Sequence, residues 1–144
     1  MQESEFHVLI VDDHEINRRI VSLFLKPTGW LWTMACNGEE AVAYCHARRF
    51  DVILMDMLMP GLDGLAATCR IRANGQNRDT PVIALTANAM EGDSAHCLAA
   101  GMNAYLSKPL QVQVLCAALS TAYQAQTAAF AHEHKATAAR AQDK

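Results

Sequence analysis

Short unbroken apolar runs alternate along the chain with stretches whose apolar residues recur at helical spacing. The strand-like runs are His7 to Val11, Leu31 to Ala35, Asp51 to Asp56, Pro81 to Thr86 and Ala104 to Leu106. Helical patterns cover Glu15 to Lys26, Glu39 to Arg48, Gly64 to Ala73, Ala89 to Ala100, and Leu110 to about Ala125. In the first of these, Asn17, Ile20, Val21, Phe24 and Leu25 fall on one face. Lys26-Pro27-Thr28-Gly29 ends it, since proline and glycine both oppose continuation. Asn37-Gly38 opens the second helix, and Asp63 is placed to cap the third. Gly101 follows the fourth, where glycine is favoured just past a helix end. Residues 73 to 81, ANGQNRDTP, read as a polar connection.

Strands followed one by one by helices imply a parallel sheet covered on both faces, because each right-handed crossover must lie back on the sheet. The apolar runs agree: strands buried on both faces do not alternate. The expected fold is α/β and doubly wound, with a five-stranded parallel sheet and five helices. Residues 1–125 form one domain in this reading. Residues 126–144, rich in Ala, Gln, His and Lys, form a tail that is either a helical extension or disordered.

Composition narrows the function classes. Of 144 residues 51% are hydrophobic and 19% charged, with a net charge of −3. A disordered chain is excluded, and nothing draws the protein electrostatically to nucleic acid or anionic lipid. The N-terminal stretch MQESEFHVLIVDD is neither a signal peptide nor a spanning segment, so a cytoplasmic location is expected. The five cysteines are widely spaced, without a Cys-x-x-Cys pair, and most of them read as packing residues. No His-x-x-x-His pair is present, so spacing gives no support to a histidine metal site.

In an open α/β sheet the functional crevice lies beyond the carboxyl ends of the strands. There the first strand delivers Asp12 and Asp13, the third Asp56, the fourth Thr86 and Ala87, and the fifth Ser107, Lys108 and Pro109. Each alone has an ordinary explanation as a cap or a strand residue. Together, three carboxylates would repel one another unless a proton or cation compensates. An all-oxygen set suits Mg²⁺, which keeps waters and leaves positions for phosphate oxygens. Lys108, the Thr86 hydroxyl and the Ala87 N–H could each hold an oxygen of a phosphoryl group in flight. An aspartate so placed can form an acyl phosphate, which fits Asp56 as a phosphoryl acceptor.

The chain resembles the receiver domain of two-component response regulators over roughly residues 6 to 123. The resemblance rests on VLIVDDHEINRRI, DVILMDMLMPGLDG, PVIALTANAMEGD and AGMNAYLSKPL, in order and at family spacing. The stretch NAMEGDSAHCLAAGMNAYLSKPL is similar to receivers of hybrid kinases and phosphorelays. The resemblance implies strand order 2-1-3-4-5 and a phosphoacceptor at Asp56. It implies Mg²⁺ held by Asp12, Asp13, Asp56 and the backbone carbonyl of Leu58. Thr86 and Lys108 would contact the phosphoryl oxygens, and the Lys108–Pro109 peptide would be cis. Thr86 and Tyr105 correspond to the family's switch pair, the ring turning inward as Thr86 moves. Leu58 and Asn88 flank the path of attacking water, and apolar Leu58 is expected to lengthen the life of the acyl phosphate.

The resemblance also places the first helix against the helical bundle that carries a phosphohistidine. Ile16 and Leu23 lie at the edge of its apolar stripe or outside it, more than one buried face needs. His14, Ile16, Arg19, Ile20, Leu23 and Pro109 are the expected contacts with a histidine kinase or histidine phosphotransfer protein. The chain ends before a DNA-binding domain, so output is expected through a downstream protein or by passing the phosphoryl group on, and not as an enzyme. Three rival readings meet difficulty at the same residues. A dehalogenase-type phosphatase needs an acid two residues after its aspartate, where this chain has Leu58. A flavin carrier needs a phosphate cradle where this chain has Asp12 and Asp13. A phosphorylation-independent binding module has no use for the intact set Asp12, Asp13, Asp56, Thr86 and Lys108.

Overall fold

The computed structural model describes residues 6–73, 75–86 and 99–125. Strand β1 (His7–Val11) leads to helix α1 (Glu15–Leu25), which runs into a short 3-10 turn (Lys26–Thr28). Strand β2 (Leu31–Ala35), helix α2 (Gly38–Ala47), strand β3 (Val52–Asp56) and helix α3 (Gly64–Ala73) follow. Strands β4 (Val82–Thr86) and β5 (Ala104–Ser107) and helix α4 (residues 112–125) complete the described chain. The helix expected over Ala89–Ala100 falls almost wholly outside the described residues, as do Ala87, Asn88 and the tail from 126. Four helices are therefore described where the sequence predicts five.

All neighbouring strands pair in parallel, in the order β2-β1-β3-β4-β5. β1, β3 and β4 are buried along their whole length, as unbroken apolar strands require. Alternate residues feed two cores. Leu9, Val11, Ile53, Met55, Val82 and Ala84 pack with Ala41 and Cys45 of α2 and Ala67 and Ile71 of α3. Val8, Ile10, Val52, Leu54, Ile83 and Leu85 pack with Val21 and Leu25 of α1 and Leu115 and Leu119 of α4. The fold is flavodoxin-like and doubly wound. Among the described residues no helix is long and apolar enough to cross a membrane.

Several boundaries move by local chemistry. α1 stops at Leu25 because Pro27 admits only the tighter turn that closes on Gly29, at φ 79°. α4 begins at 112, not at Leu110: Gln111 supplies the first helical acceptor, its carbonyl taking the Leu115 N–H, while Leu110 lines a groove beside Pro109. Asn37 caps α2 by accepting from the Glu40 N–H, and Asp63 caps α3 through the Ala66 N–H. Ile20 shares the period of the buried stripe but is 40% exposed at the margin of that groove, as its expected role as a partner contact requires.

Candidate functional site

Every side chain of the site hangs from the carboxyl edge of the sheet. β1 and β3 are neighbours in the sheet, so Asp12, just past β1, and Asp56, the last residue of β3, emerge side by side. Both are buried. Asp12 is fixed by its N–H to the Ala35 carbonyl at 3.2 Å, and the Arg18 guanidinium donates to the Asp12 carbonyl at 2.6 Å. Asp13 is half-buried beside it.

Behind Asp56 the chain is closed by a glycine. The Gly64 N–H donates to the Met57 carbonyl at 3.1 Å, and a Cβ on Gly64 would collide with the carbonyl oxygen of Asp56. The turn from Met57 to Asp63 can therefore pack back onto the strand end, which holds the acid in place. Leu58 projects into solvent and is 74% exposed.

Lys108 reaches the acids from two strands away. Its N–H donates to the Thr86 carbonyl at 2.7 Å, extending the β4–β5 ladder by one residue. The Lys108–Pro109 peptide is cis, as expected. The ammonium donates to Asp56 Oδ1 at 2.8 Å and lies 3.6 Å from Asp12 Oδ2. Burial pushes the Asp56 carboxyl above its usual value; Lys108 opposes that rise and the charge on Asp12 adds to it. Burial alone would lower the Lys108 ammonium, but its bond to Asp56 and the charges of Asp12 and Asp56 outweigh burial and raise it. Thr86 ends β4 and is buried at the same edge.

One ammonium among three carboxylates leaves the cleft short of positive charge. Asp56 Oδ2 is buried and has no hydrogen-bond partner among the described residues, while buried Asp13 Oδ1 faces only the His14 imidazole, whose Nδ1 lies 3.1 Å away. Buried carboxylate oxygens without donors are costly unless a cation serves them. An oxygen-only set with room for water suits Mg²⁺ in type and number. The residues present fit that ion.

Of the expected site residues, Asp12, Asp13, Asp56, Thr86 and Lys108 come together at this edge. Ala87 lies outside the described residues. Tyr105 stands on β5 opposite Ala84 and is 40% exposed, over a hollow of about 390 Å³ that Leu106, Pro109, Gln111 and Val114 also line. Ile16 and Leu23 are exposed at 72% and 63%, and His14, Arg19 and Pro109 are exposed as well. A groove of about 410 Å³ joins Ile20 and Asn17 of α1 to Pro109 and Leu110, with Asp12 and Lys108 in its wall. Gly64 is the positioning residue that sequence reasoning treated only as a helix start.

The model of the response regulator receiver domain family matches residues 8–120. Hybrid signal transduction histidine kinase G of Dictyostelium discoideum is 42% identical over 114 residues, which are 77% of this chain and 3% of that protein. The chain thus spans only a small part of this relative. Among solved structures, the receiver domain of sensor histidine kinase PA1611 from Pseudomonas aeruginosa is 41% identical, with a TM-score of 0.75. The match covers 81% of this chain and 96% of that one, and that structure holds a magnesium ion in its active site cleft. The Ssk1 receiver domain of Saccharomyces cerevisiae, solved with the histidine phosphotransfer protein Ypd1, is 32% identical with a TM-score of 0.73. That match covers 78% of this chain and 84% of the other.

Proposed function

The chain belongs to the response regulator receiver domain family, and from that premise we propose that Asp56 accepts a phosphoryl group from a histidine of a partner protein. In that step a carboxylate oxygen of Asp56 forms a bond to phosphorus as the phosphorus–nitrogen bond breaks, and the nitrogen keeps the electron pair. The observation that carries the reading is the Lys108–Asp56 bond beside Asp12, with Asp56 Oδ2 left without a donor among the described residues. Asp12, Asp13, Asp56 and the Leu58 carbonyl would hold Mg²⁺. Bound there, the ion would supply positive charge against the phosphoryl oxygens. Lys108, held at the cleft through its N–H to Thr86, offers a second positive group at a fixed position. Thr86 and the Ala87 N–H complete the set that receives the phosphoryl oxygens.

Phosphorylation adds roughly −1.5 to −2 charge in a cleft already rich in carboxylate. The new charge draws Lys108 and Thr86, and through β4 and β5 it biases Tyr105 between outward and inward positions. The surface around Tyr105 then reports to a downstream protein, or the phosphoryl group moves on to another histidine. The exposed face of α1, with His14, Ile16, Arg19, Ile20 and Leu23, together with Pro109, receives the donor. The groove running from Ile20 to Lys108 supports that placement, because it leads from the helix surface to the acids. In this reading residues 1–125 make up a cytoplasmic signalling module, and 126–144 its tail.

The test mixes the chain and Mg²⁺ with a phosphorylated histidine phosphotransfer protein. Label should move onto the parent chain, stop when Mg²⁺ is chelated, and fail to reach Asp56→Asn. Equal labelling of Asp56→Asn would reject the assignment.

A further inference from the structure

The loop between β1 and α1 brings another ligand-bearing side chain to the acidic cleft. His14 directly precedes α1, a position where Ser, Thr, Asp or Asn would cap the first turn, yet its side chain makes no capping hydrogen bond. The imidazole instead turns toward the acids, with Nδ1 3.1 Å from Asp13 Oδ1 and 3.5 Å from Asp12 Oδ1. The backbone fixes it there. The His14 N–H donates to Asp12 Oδ1 at 2.9 Å, and its carbonyl accepts from the Arg18 N–H at 3.2 Å. One ligand atom from each of Asp12, Asp13 and His14 lies within 4.8 Å of the other two. Opposite ligands of a six-coordinate ion with ~2.1 Å bonds are roughly 4.2 Å apart, so small side-chain adjustments bring all three onto one ion. Asp56 stands outside that 4.8 Å group but belongs to the same cleft, joined to it through Lys108. It is 2% exposed and bonded to the Lys108 that also faces Asp12, and its Oδ2 has no hydrogen-bond partner among the described residues.

We propose that His14 gives this cleft a nitrogen ligand, so that it binds borderline divalent ions such as Ni²⁺ or Zn²⁺ in competition with Mg²⁺. The proposal rests on the reading of the cleft as a Mg²⁺ site and adds to its ligand set. Imidazole suits Ni²⁺ and Zn²⁺, whereas Mg²⁺ takes carboxylate, carbonyl and water oxygens. The ring therefore strengthens binding of the first kind of ion and contributes little to the second. Sequence spacing gives no hint of this site, because a single histidine beside two acids matches no ligand repeat.

Isothermal titration of the full chain with NiCl₂ and with MgCl₂ tests it, alongside His14→Gln and the double variant Asp12→Asn/Asp13→Asn. Only Ni²⁺ that excess Mg²⁺ displaces is counted, which sets aside the other histidines. His14→Gln should weaken that Ni²⁺ binding about tenfold or more and leave Mg²⁺ affinity within about twofold, while the double variant loses both. Equal displaceable Ni²⁺ binding by parent and His14→Gln overturns the proposal and leaves the Mg²⁺ site standing. Failure of the parent to bind Mg²⁺ removes the underlying reading and the proposal with it.

Discussion

The Lys108 ammonium donates to Asp56 Oδ1 at 2.8 Å although Asp56 ends β3 and Lys108 follows β5, with β4 between them. That bond spans the sheet edge and places one positive charge at the acid proposed to react. Lys108→Ala should lower the rate of phosphoryl transfer to Asp56 by about 100-fold, the scale of losing one preorganised charge partner. Lys108→Arg should not restore it, because a planar fork does not replace a compact ammonium. Single-turnover transfer kinetics from a phosphorylated donor check both.

The raised carboxyl of Asp56 predicts a pH-dependent stability with a definite sign. An acid whose pKa is higher in the fold than in the unfolded chain binds its proton more tightly when folded. Its favourable contribution is complete below the unfolded value and is lost as pH rises through the folded value. In chelator, Asp56→Asn should therefore melt higher than the parent at neutral pH, by ~3 °C. The difference should shrink as pH falls into the carboxylate range. Melting curves of both proteins across pH measure it; a parent that melts higher at neutral pH contradicts it.

Leu58 offers an attacking water no hydrogen bond, and its side chain stands in solvent two residues past Asp56. Leu58→Asn is predicted to shorten the life of the acyl phosphate several-fold, followed as loss of label with time in Mg²⁺. The fold should be unaffected, since an exposed substitution typically shifts stability by no more than about 0.5 kcal/mol. An unchanged decay would remove Leu58 from the account.

Ile16 and Leu23 present apolar surface on α1 that no described residue covers. Replacing both with Ser should raise the donor concentration needed for half-maximal transfer about tenfold or more, with the melting temperature held. A small-molecule phosphodonor, which does not dock on α1, should phosphorylate the double variant at the parental rate.

Legibility of the fold differed by element. β1, β3 and β4 are continuous apolar runs, and their two-faced burial follows directly. The carboxylates were legible because each ends such a strand. The Lys108–Asp56 contact was not: it depends on β5 lying two strands from β3, an order taken from family resemblance and now seen in the pairing. Ile20 fits the helical period yet lies outside the core, since period fixes a direction around the helix but not the width of the covered face. From 75 to 81 the chain is the polar connection expected, yet its pattern hides one residue's role. Asn77 is fully buried there, donating to the carbonyls of Cys45 and Arg48 at 2.7 and 2.8 Å and accepting from the Phe50 N–H at 2.7 Å. A single polar residue that organises other backbones leaves no periodic trace in its own surroundings.

The central claim is that the phosphoryl group is carried by Asp56. Reducing the freshly phosphorylated chain with borohydride converts an acyl-phosphate aspartate to homoserine, and peptide mass spectrometry locates the converted residue. Homoserine at position 56 alone, absent without donor or Mg²⁺, is the predicted result. Homoserine at another acid, or an unreduced Asp56 in fully phosphorylated protein, would contradict the account.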